Sequence, residues 1–206
     1  MFCGIVEKIG FVTHIENDQA CKHFTISTVE PFNHLIIGES IAVNGVCLTV
    51  TNFTEQSFNV TAVPETLRLT NLNFLSINQT VNLERAMTAC SRIGGHFVQG
   101  HVDCVGEIQA IEADHSQALL VKIKLPRAFA KYLINKGYIA LDGMSITIIE
   151  AAEDSFTITF IPHTQENTIT KHYVLGSRIN IEVDILGKYI EKFLHTRGLL
   201  HHANSI

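Results

Sequence analysis

Short stretches in which apolar and polar residues alternate recur along this chain, and such alternation is typical of β-strands with one buried face. The clearest are FNVTAV at 58–63 and FTITFI at 156–161. SIAVNGVCLTV at 40–50 and YIALDGMSITI at 138–148 each predict a hairpin, because the Asn-Gly or Asp-Gly at the centre tolerates the positive φ of a tight turn. Short strands with frequent turns predict an antiparallel barrel or sandwich, and closing a barrel removes exposed sheet edges.

Three internal segments predict helices. Two of them begin with proline, which suits the first helical turn: PETLRLTNL at 64–72 and PHTQENTIT at 162–170. The third, PRAFAKYLINKG at 126–137, has apolar residues at helical spacing and ends at a glycine.

The tail at 185–203 predicts one more helix, with Gly198 ending its regular part. Two barrels have little need of this helix for their own cores. The apolar stripe can therefore pack on the body of the protein or against copies of itself, and we favour association. The stripe consists of Ile185, Tyr189, Phe193 and Leu200.

The chain repeats itself at a spacing of 98 residues. IAVNGVCLTV aligns with IALDGMSITI, SFNVTAVPET with SFTITFIPHT, and VNLE with INIE. The opening FCGIVEKIG aligns with VQGHVDCVG at a spacing of 96. This period is too long for a solenoid and long enough for a small domain. We therefore expect two copies of one barrel, at 1–96 and 97–185, followed by a helix and tail at 186–206.

Composition excludes several classes of protein. Of the 206 residues, 46% are hydrophobic and 17% are charged, which is enough apolar surface for a core. A net charge of -5 argues against a nucleic-acid partner, which calls for a basic face. No apolar run is long enough to cross a membrane, and the first residues do not resemble a signal peptide. The 5 cysteines are scattered without a CxxC, so we expect neither disulfides nor a metal site, and a cytoplasmic setting.

Four motifs resemble the riboflavin synthases, a family of duplicated lumazine-binding enzymes. They are MFxGIVE at the start, NGVCLTV, PETLRLTNL and RIGGHFVQGHVD, and the resemblance runs from Met1 to about Leu194. It implies an all-β fold of two six-stranded antiparallel Greek-key barrels in tandem with a C-terminal α-helix.

The resemblance also implies a reaction. In this family one 6,7-dimethyl-8-ribityllumazine donates a four-carbon unit to another, giving riboflavin and 5-amino-6-(D-ribitylamino)uracil, the last step of riboflavin biosynthesis. No cofactor or metal is implied. The implied partners are two lumazine molecules, two further copies of the chain in a homotrimer with central helices, and an association with lumazine synthase. The implied site lies where the first barrel of one subunit faces the second barrel of a neighbour.

Three residues are candidates for catalysis. Cys47, whose counterpart in the second repeat is Ser145, matches a family cysteine that can add to the lumazine ring or lie beside it; without the resemblance it reads as a small buried hydrophobe. Ser40 matches a family serine whose hydroxyl can bond the ring or a water. His101 stands where the first repeat has Ile5, and an imidazole suits proton transfer from an acidic ring methyl group. His96 is the alternative imidazole and otherwise a structural histidine.

The substrate-binding residues implied by the resemblance line two similar pockets. Threonine hydroxyls and backbone groups there can read the alternating donors and acceptors of a pteridine, although many threonines of a β-rich protein are structural. Lys136 and Asp184 match family positions near the subunit boundary and otherwise read as surface charges. Cys3 departs from the usual threonine, and His163 is a further polar contact. The set comprises Phe2, Gly4, Ile5, Val6, Cys47, Leu48, Thr49, Thr61, Ala62, Val63, Pro64, Glu65, Thr66, Gly100, His101, Val102, Lys136, Ser145, Ile146, Thr147, Ile161, Pro162, His163, Thr164, Gln165 and Glu166.

Two other readings compete with an enzyme. One is a non-catalytic lumazine or flavin carrier on the same duplicated scaffold, and the other is a small-barrel module with an unrelated partner. Carriers tend to lose the polar catalytic set, whereas Ser40, Cys47 and His101 are all present here. The enzyme is therefore the favoured interpretation. The paired His201 and His202 near the end, with His195, can suggest a metal, but a solvated tail explains them better.

Overall fold

A computed structural model describes residues 1–114 and 117–197. Within these ranges the strands form two closed barrels of six antiparallel strands each, and a helix follows the second. The predicted fold class is therefore confirmed. The first barrel contains β1 (Lys8–Asp18), β2 (Cys21–Thr28), β3 (Ser40–Val43), β4 (Val46–Phe53), β5 (Ser57–Ala62) and β6 (Thr80–Arg85). The second contains β7 (Cys104–Ala113), β8 (Leu119–Lys124), β9 (Tyr138–Leu141), β10 (Met144–Ala151), β11 (Ser155–Phe160) and β12 (Arg178–Val183).

The same strand neighbours occur in both barrels. The first closes in the order β1-β2-β5-β4-β3-β6 and the second in the order β10-β11-β8-β7-β12-β9. Both predicted hairpins form, as β3–β4 and β9–β10, with Asn44 and Asp142 at positive φ. Alternating apolar residues fill each interior, so each barrel has its own core.

The proline-led helices are shorter than predicted. α1 spans Pro64–Leu69, because Thr70 adopts an extended conformation and its hydroxyl caps a separate 3₁₀ helix at Asn71–Phe74. α2 spans Pro162–Asn167 and ends in the same way at Thr168.

The helix predicted at 126–137 is a shorter 3₁₀ helix at Arg127–Tyr132. Leu133 leaves helical geometry, and a tight turn follows in which Gly137 N–H donates to the carbonyl of Ile134. The apolar periodicity there reflects packing of Phe129, Tyr132 and Leu133 on the barrel core rather than a full helix.

The C-terminal helix, α3, spans Ile185–Thr196 and is capped by the Asp184 carboxylate, which accepts a hydrogen bond from Leu186 N–H. No helix of residues 1–114 or 117–197 is long and apolar enough to cross a membrane. The predicted helix end at Gly198, the stripe position Leu200 and the histidines His201 and His202 lie outside the described residues.

The two barrels meet at their hairpin turns in a reciprocal way. A Cβ on Gly45 would lie 2.5 Å from the backbone of Gly143, and one on Gly143 would lie 2.9 Å from the backbone of Gly45. The Asn180 side chain donates to the carbonyl of Asn44, while the Asn82 side chain donates to the carbonyl of Asp142. These matched contacts relate the repeats by an approximate two-fold axis. Phe2, Ala42, Val98 and Ala140 form a small apolar cluster of their own.

Candidate active site

Each barrel has an opening where two neighbouring strands part. The ladder between β4 and β5 runs from Phe53–Phe58 to Val50–Val60, and β5 then continues along β2 to Ala62. The second barrel repeats this, since β10 and β11 pair only as far as Ile148–Ile158. We call these gaps the first and second openings. Where two strands diverge, the ladder between them no longer uses their facing backbone donors and acceptors, so these groups can bond other partners.

The backbone that approaches each opening comes from the other repeat. Residues 2–6 and 98–102, here called the leading segments, precede β1 and β7 and pair through Phe2 and Val98. The carbonyl of Gly100 accepts from Cys47 N–H at 2.9 Å, and the carbonyl of Gly4 accepts from Ser145 N–H at 2.8 Å. Val102 packs on the core of the first barrel and Val6 on that of the second. Each opening is thus built from one barrel and the leading segment of the other.

Both contacts require glycine. Gly4 and Gly100 have φ of 75° and 80°, in the left-handed region that other residues rarely adopt. A Cβ on Gly100 would lie 2.6 Å from Cβ of Cys47, and one on Gly4 would lie 2.6 Å from Cβ of Ser145. Both glycines therefore allow the backbone to approach the two candidate site residues closely.

Two buried glutamates that were not among the predicted site residues hold the leading segments. The Glu84 carboxylate accepts from the backbone N–H groups of Cys3 and Gly4 at 2.8 and 3.1 Å. The Glu182 carboxylate accepts from those of Gln99, Gly100 and His101 at 2.7, 2.9 and 3.0 Å. Burial raises the pKa of both carboxyls, and the backbone donors oppose that rise. The sequence feature that could have identified them is the glutamate shared by VNLE and INIE. It places a charged residue at the same position of two strands whose other residues are mostly buried.

The first opening brings the predicted catalytic residues onto neighbouring backbone. Ser40 and Thr49 are direct cross-strand partners, and the half-buried Cys47 pairs with Ala42 two residues along the same hairpin. His101 follows the glycine that touches Cys47, and its side chain is exposed.

The second opening has a different polar pair. His96 Nδ1 lies 2.6 Å from Ser145 Oγ, and its ring stacks on Tyr138 with centroids 5.2 Å apart. Burial lowers the pKa of His96, which favours the neutral ring, while the negative charge of Asp184 opposes this shift. An imidazole paired with a hydroxyl can hold or move a proton. The two openings are therefore alike in backbone and unlike in side chains.

Several predicted residues lie differently from a simple pocket lining. Phe2 is fully buried in the cluster between the barrels, so it supports the leading segments from beneath. The Thr61 hydroxyl bonds His23 Nδ1 at 2.8 Å on the outside of the first barrel. Leu48 and Ala62 are buried among the core residues. Glu65 pairs with Arg68, and Lys136 occupies a left-handed turn.

The remaining predicted residues divide between the two barrels and the leading segments that contact them. Thr49, Val63, Pro64 and Thr66 belong to the first barrel, and Gly100, His101 and Val102 to the leading segment that contacts it. The second barrel and the leading segment that contacts it contain Gly4, Ile5, Val6, Ser145, Ile146, Thr147, Ile161, Pro162, His163, Thr164, Gln165 and Glu166. The His163 carbonyl accepts from the Asn167 side chain, and the Gln165 side chain donates to the carbonyl of Phe160.

Comparison with known proteins agrees with this architecture. The lumazine binding domain family matches the chain twice, over residues 3–86 and 99–184. Riboflavin synthase from Bacillus subtilis is 45% identical over 195 residues, which is 95% of this chain and 90% of that protein. Riboflavin synthase from Schizosaccharomyces pombe is 44% identical over 199 residues and covers 94% of each chain. The crystal structure of LumP complexed with riboflavin has a TM-score of 0.81 at 23% identity, covering 89% of this chain and 100% of LumP, which shows a shared fold.

Duplicated barrels with exchanged leading segments and a matched pair of openings define a protein with two lumazine-binding domains. The curated relatives narrow this class, because each aligns over 94% or more of this chain and therefore over both domains. The chain belongs to the lumazine-binding domain family and, within it, to the riboflavin synthases, which are transferases.

Proposed function

We propose that the protein converts two molecules of 6,7-dimethyl-8-ribityllumazine into riboflavin and 5-amino-6-(D-ribitylamino)uracil by four-carbon transfer. The observation that carries this is the pair of openings built on equivalent backbone, Cys47 with Gly100 and Ser145 with Gly4. A reaction that consumes two identical molecules calls for two similar binding sites. LumP, whose structure has also been determined with 6,7-dimethyl-8-(1'-D-ribityl) lumazine, shares the fold at a TM-score of 0.78.

Positioning supplies most of the rate enhancement in this proposal. Holding two reactants in a productive orientation gives effective molarities of about 10⁵–10⁸ M, whereas one general acid or base contributes about 10²–10⁴ in rate. The glycine contacts and the glutamate-held leading segments are rigid features of this kind.

The unlike side chains of the two openings support different roles for the two molecules. At the first opening, Cys47 and Ser40 contact the ring and His101 moves a proton from the ring methyl group. At the second opening, Ser145 and the neutral His96 bind the partner molecule. This division is supported by the 2.6 Å His96–Ser145 contact, which pairs the counterpart of Cys47 with an imidazole.

A direct test mixes the purified protein with the lumazine alone. We expect one riboflavin, followed by absorbance, for every two lumazines consumed. Cys47→Ser lowers turnover while the fold measured by circular dichroism is unchanged, and Cys90→Ser, at an exposed cysteine that is not among the predicted site residues, keeps the wild-type rate. Tight binding without turnover by the wild type would identify a carrier instead, and wild-type rates in Cys47→Ser would remove that residue from catalysis.

The assembly is part of the proposal. Leu186, Tyr189, Ile190 and Phe193 of α3 are each more than half exposed and share one face, which supports a homotrimer formed through this helix. The apolar side chains Ile5, Val63 and Ile161 are also about half exposed at the openings, where the first opening of one subunit would face the second of its neighbour. Domain division at residues 96 and 185, a cytoplasmic setting and association with lumazine synthase stay predictions.

Truncation before Leu186 tests the trimer. Light scattering should then report a smaller particle than the full chain, while the barrels keep their β-sheet spectrum. Ile190→Glu should have the same effect, and Lys192→Glu on the polar face should not. An unchanged mass in both of the first two variants would exclude α3 as the assembly element.

A further inference from the structure

The helix α3 makes polar contacts with the second barrel as well as presenting an apolar face. Lys188 Nζ lies 2.6 Å from Asp103 Oδ1, in an ion pair whose side chains are only 26% and 14% exposed. Glu191 accepts hydrogen bonds from Lys131 and Tyr132, and Gly187 lies close to the Tyr132 ring. Removing one partner from a largely buried pair costs more than breaking a surface pair.

Asp103 joins this helix to the leading segment of the second repeat. It follows Val102 directly, and its backbone N–H donates to the carbonyl of Ile181. Its carboxylate Oδ2 accepts from Val183 N–H at 2.9 Å. Between Ile181 and Val183 on β12 lies Glu182. Its carboxylate accepts hydrogen bonds from the backbone of Gln99, Gly100 and His101. The leading segment is thus fastened to β12 by Glu182 at one end and by Asp103 at the other.

Lys188 also acts on the charge of Glu182. Burial is the largest cause that raises the pKa of the Glu182 carboxyl, and the nearby Asp103 carboxylate adds to the rise. The positive charge of Lys188, which pairs with Asp103, opposes that rise. An ionised Glu182 can accept all three backbone hydrogen bonds with its two oxygens.

We propose that Lys188 of α3 is a positioning residue for catalysis, holding residues 99–103, and with them His101 and Gly100, against the first opening. The inference rests on the proposed function of His101. In this proposal α3 contributes to the active site of its own subunit as well as to assembly. Packing of the helix on the second barrel then also positions residues 99–103.

Amide hydrogen exchange of the full-length protein without substrate tests the hold directly. In Lys188→Met, exchange at Gln99, Gly100 and His101 should quicken by about tenfold, as expected for weakened charge-assisted hydrogen bonds. The amides of Cys3 and Gly4, held by Glu84 in the other repeat, are the internal reference and should not change. Lys188→Arg should restore protection, and Lys192→Met on the same helix should leave it as in the wild type.

Kinetics with the lumazine give the functional half of the test. If Lys188→Met keeps the particle mass of the wild type, its kcat should fall by about tenfold while its KM changes less. Lys188→Arg should recover most of the rate. Unchanged exchange at residues 99–101, or equal loss of protection at Cys3 and Gly4, would overturn the inference even if the wild type is active. A wild type that forms no riboflavin would instead contradict the proposed function, and the exchange result would still decide whether Lys188 holds the segment.

Discussion

Gly4 and Gly100 show how closely single residues determine this site. Each combines a left-handed backbone with a contact that leaves no room for a side chain, and each contacts the candidate residue of the opposite repeat, Ser145 or Cys47. The leading segment can therefore lie this close to the strand only because glycine has no Cβ atom.

Gly100→Ala should lower turnover by about 10²-fold, the loss that misplacing reacting groups by about 1 Å can produce. The added Cβ would meet Cys47 Cβ and push the His101 segment away from the first opening. Gly176→Ala is the matched control, because Gly176 also has positive φ, at 81°, but nothing lies within 4 Å of its Cβ position. It should cost about 1–2 kcal/mol of stability and leave turnover unchanged. Equal rates in the two variants would show that the close approach is unimportant.

The candidate catalytic residues differ between the repeats and could be predicted, whereas the two buried glutamates, which the repeats share, could not. His101 against Ile5, and Cys47 against Ser145, stand out when the repeats are aligned. Glu84 and Glu182 do not, because a single glutamate near the end of a short strand looks like an ordinary surface charge in the sequence. Their role depends on backbone N–H groups about 80 residues away in the chain, with separations of 81 and 82 for Cys3–Glu84 and Gly100–Glu182.

At the scale of elements, short sequence patterns correctly predicted the hairpins and strands, which form through interactions between residues close together in the chain. The β3–β4 and β9–β10 hairpins follow from Asn-Gly and Asp-Gly, and the alternating runs became β5 and β11. The helix at 126–137 was overpredicted because apolar spacing alone cannot distinguish a 3₁₀ segment packed on a barrel from an α-helix. The exchange of leading segments has no local signature, since it depends on how two folded barrels meet.

The leading segments should be separable by mutation. Glu84→Gln replaces one acceptor oxygen by an NH₂ group that faces the donors of Cys3 or Gly4, and this should loosen the segment at the second opening. Glu182→Gln should do the same at the first opening. Each lost charged acceptor costs roughly 1–3 kcal/mol locally. In calorimetric titrations with the product riboflavin, we expect two binding events. Each single variant should weaken one of them, a different one in each case, and the double variant should weaken both. Glu153→Gln, at an exposed ion pair, should weaken neither.

At the scale of the whole molecule, the two barrels meet across a buried polar network instead of a purely apolar seam. Asp142 Oδ1 accepts from the backbone N–H of Asn180 and from the Asn71 side chain, each at 2.8 Å, and Oδ2 accepts from the Tyr173 hydroxyl at 2.7 Å. Its counterpart Asn44 makes the matching bond to Asn82 N–H without a charge. Burial raises the pKa of Asp142 to about 7, against 3.8 for the free side chain.

This shift makes stability depend on pH. Between about pH 4 and 7 the folded protein holds a proton on Asp142 that the unfolded chain has lost, so this residue's contribution to stability falls as pH rises, by on the order of 1 kcal/mol per pH unit. Asp142→Asn keeps the acceptor for Asn180 and Asn71 and can donate to the Tyr173 oxygen, so it should abolish that slope.

Urea unfolding from pH 4 to 8 measures this effect as the difference in unfolding free energy between the variant and the wild type. The difference should grow in favour of Asp142→Asn up to about pH 7 and then level off. Asp154→Asn, in the turn that joins β10 to β11, is the control variant and should run parallel to the wild type. A constant difference between Asp142→Asn and the wild type would mean that Asp142 does not change its protonation in this range.

The exchanged leading segments also bear on ancestry. Before the duplication, a single barrel with an equivalent leading segment would have needed a second copy to complete its opening. In such a pair, the amino-terminal segment of each copy would contact the barrel of the other around a common axis. With the two copies joined in one chain, each half can differ from the other at matched positions. His101 in one half and Ile5 in the other are such a difference, which lets a symmetric pair of sites treat identical molecules differently.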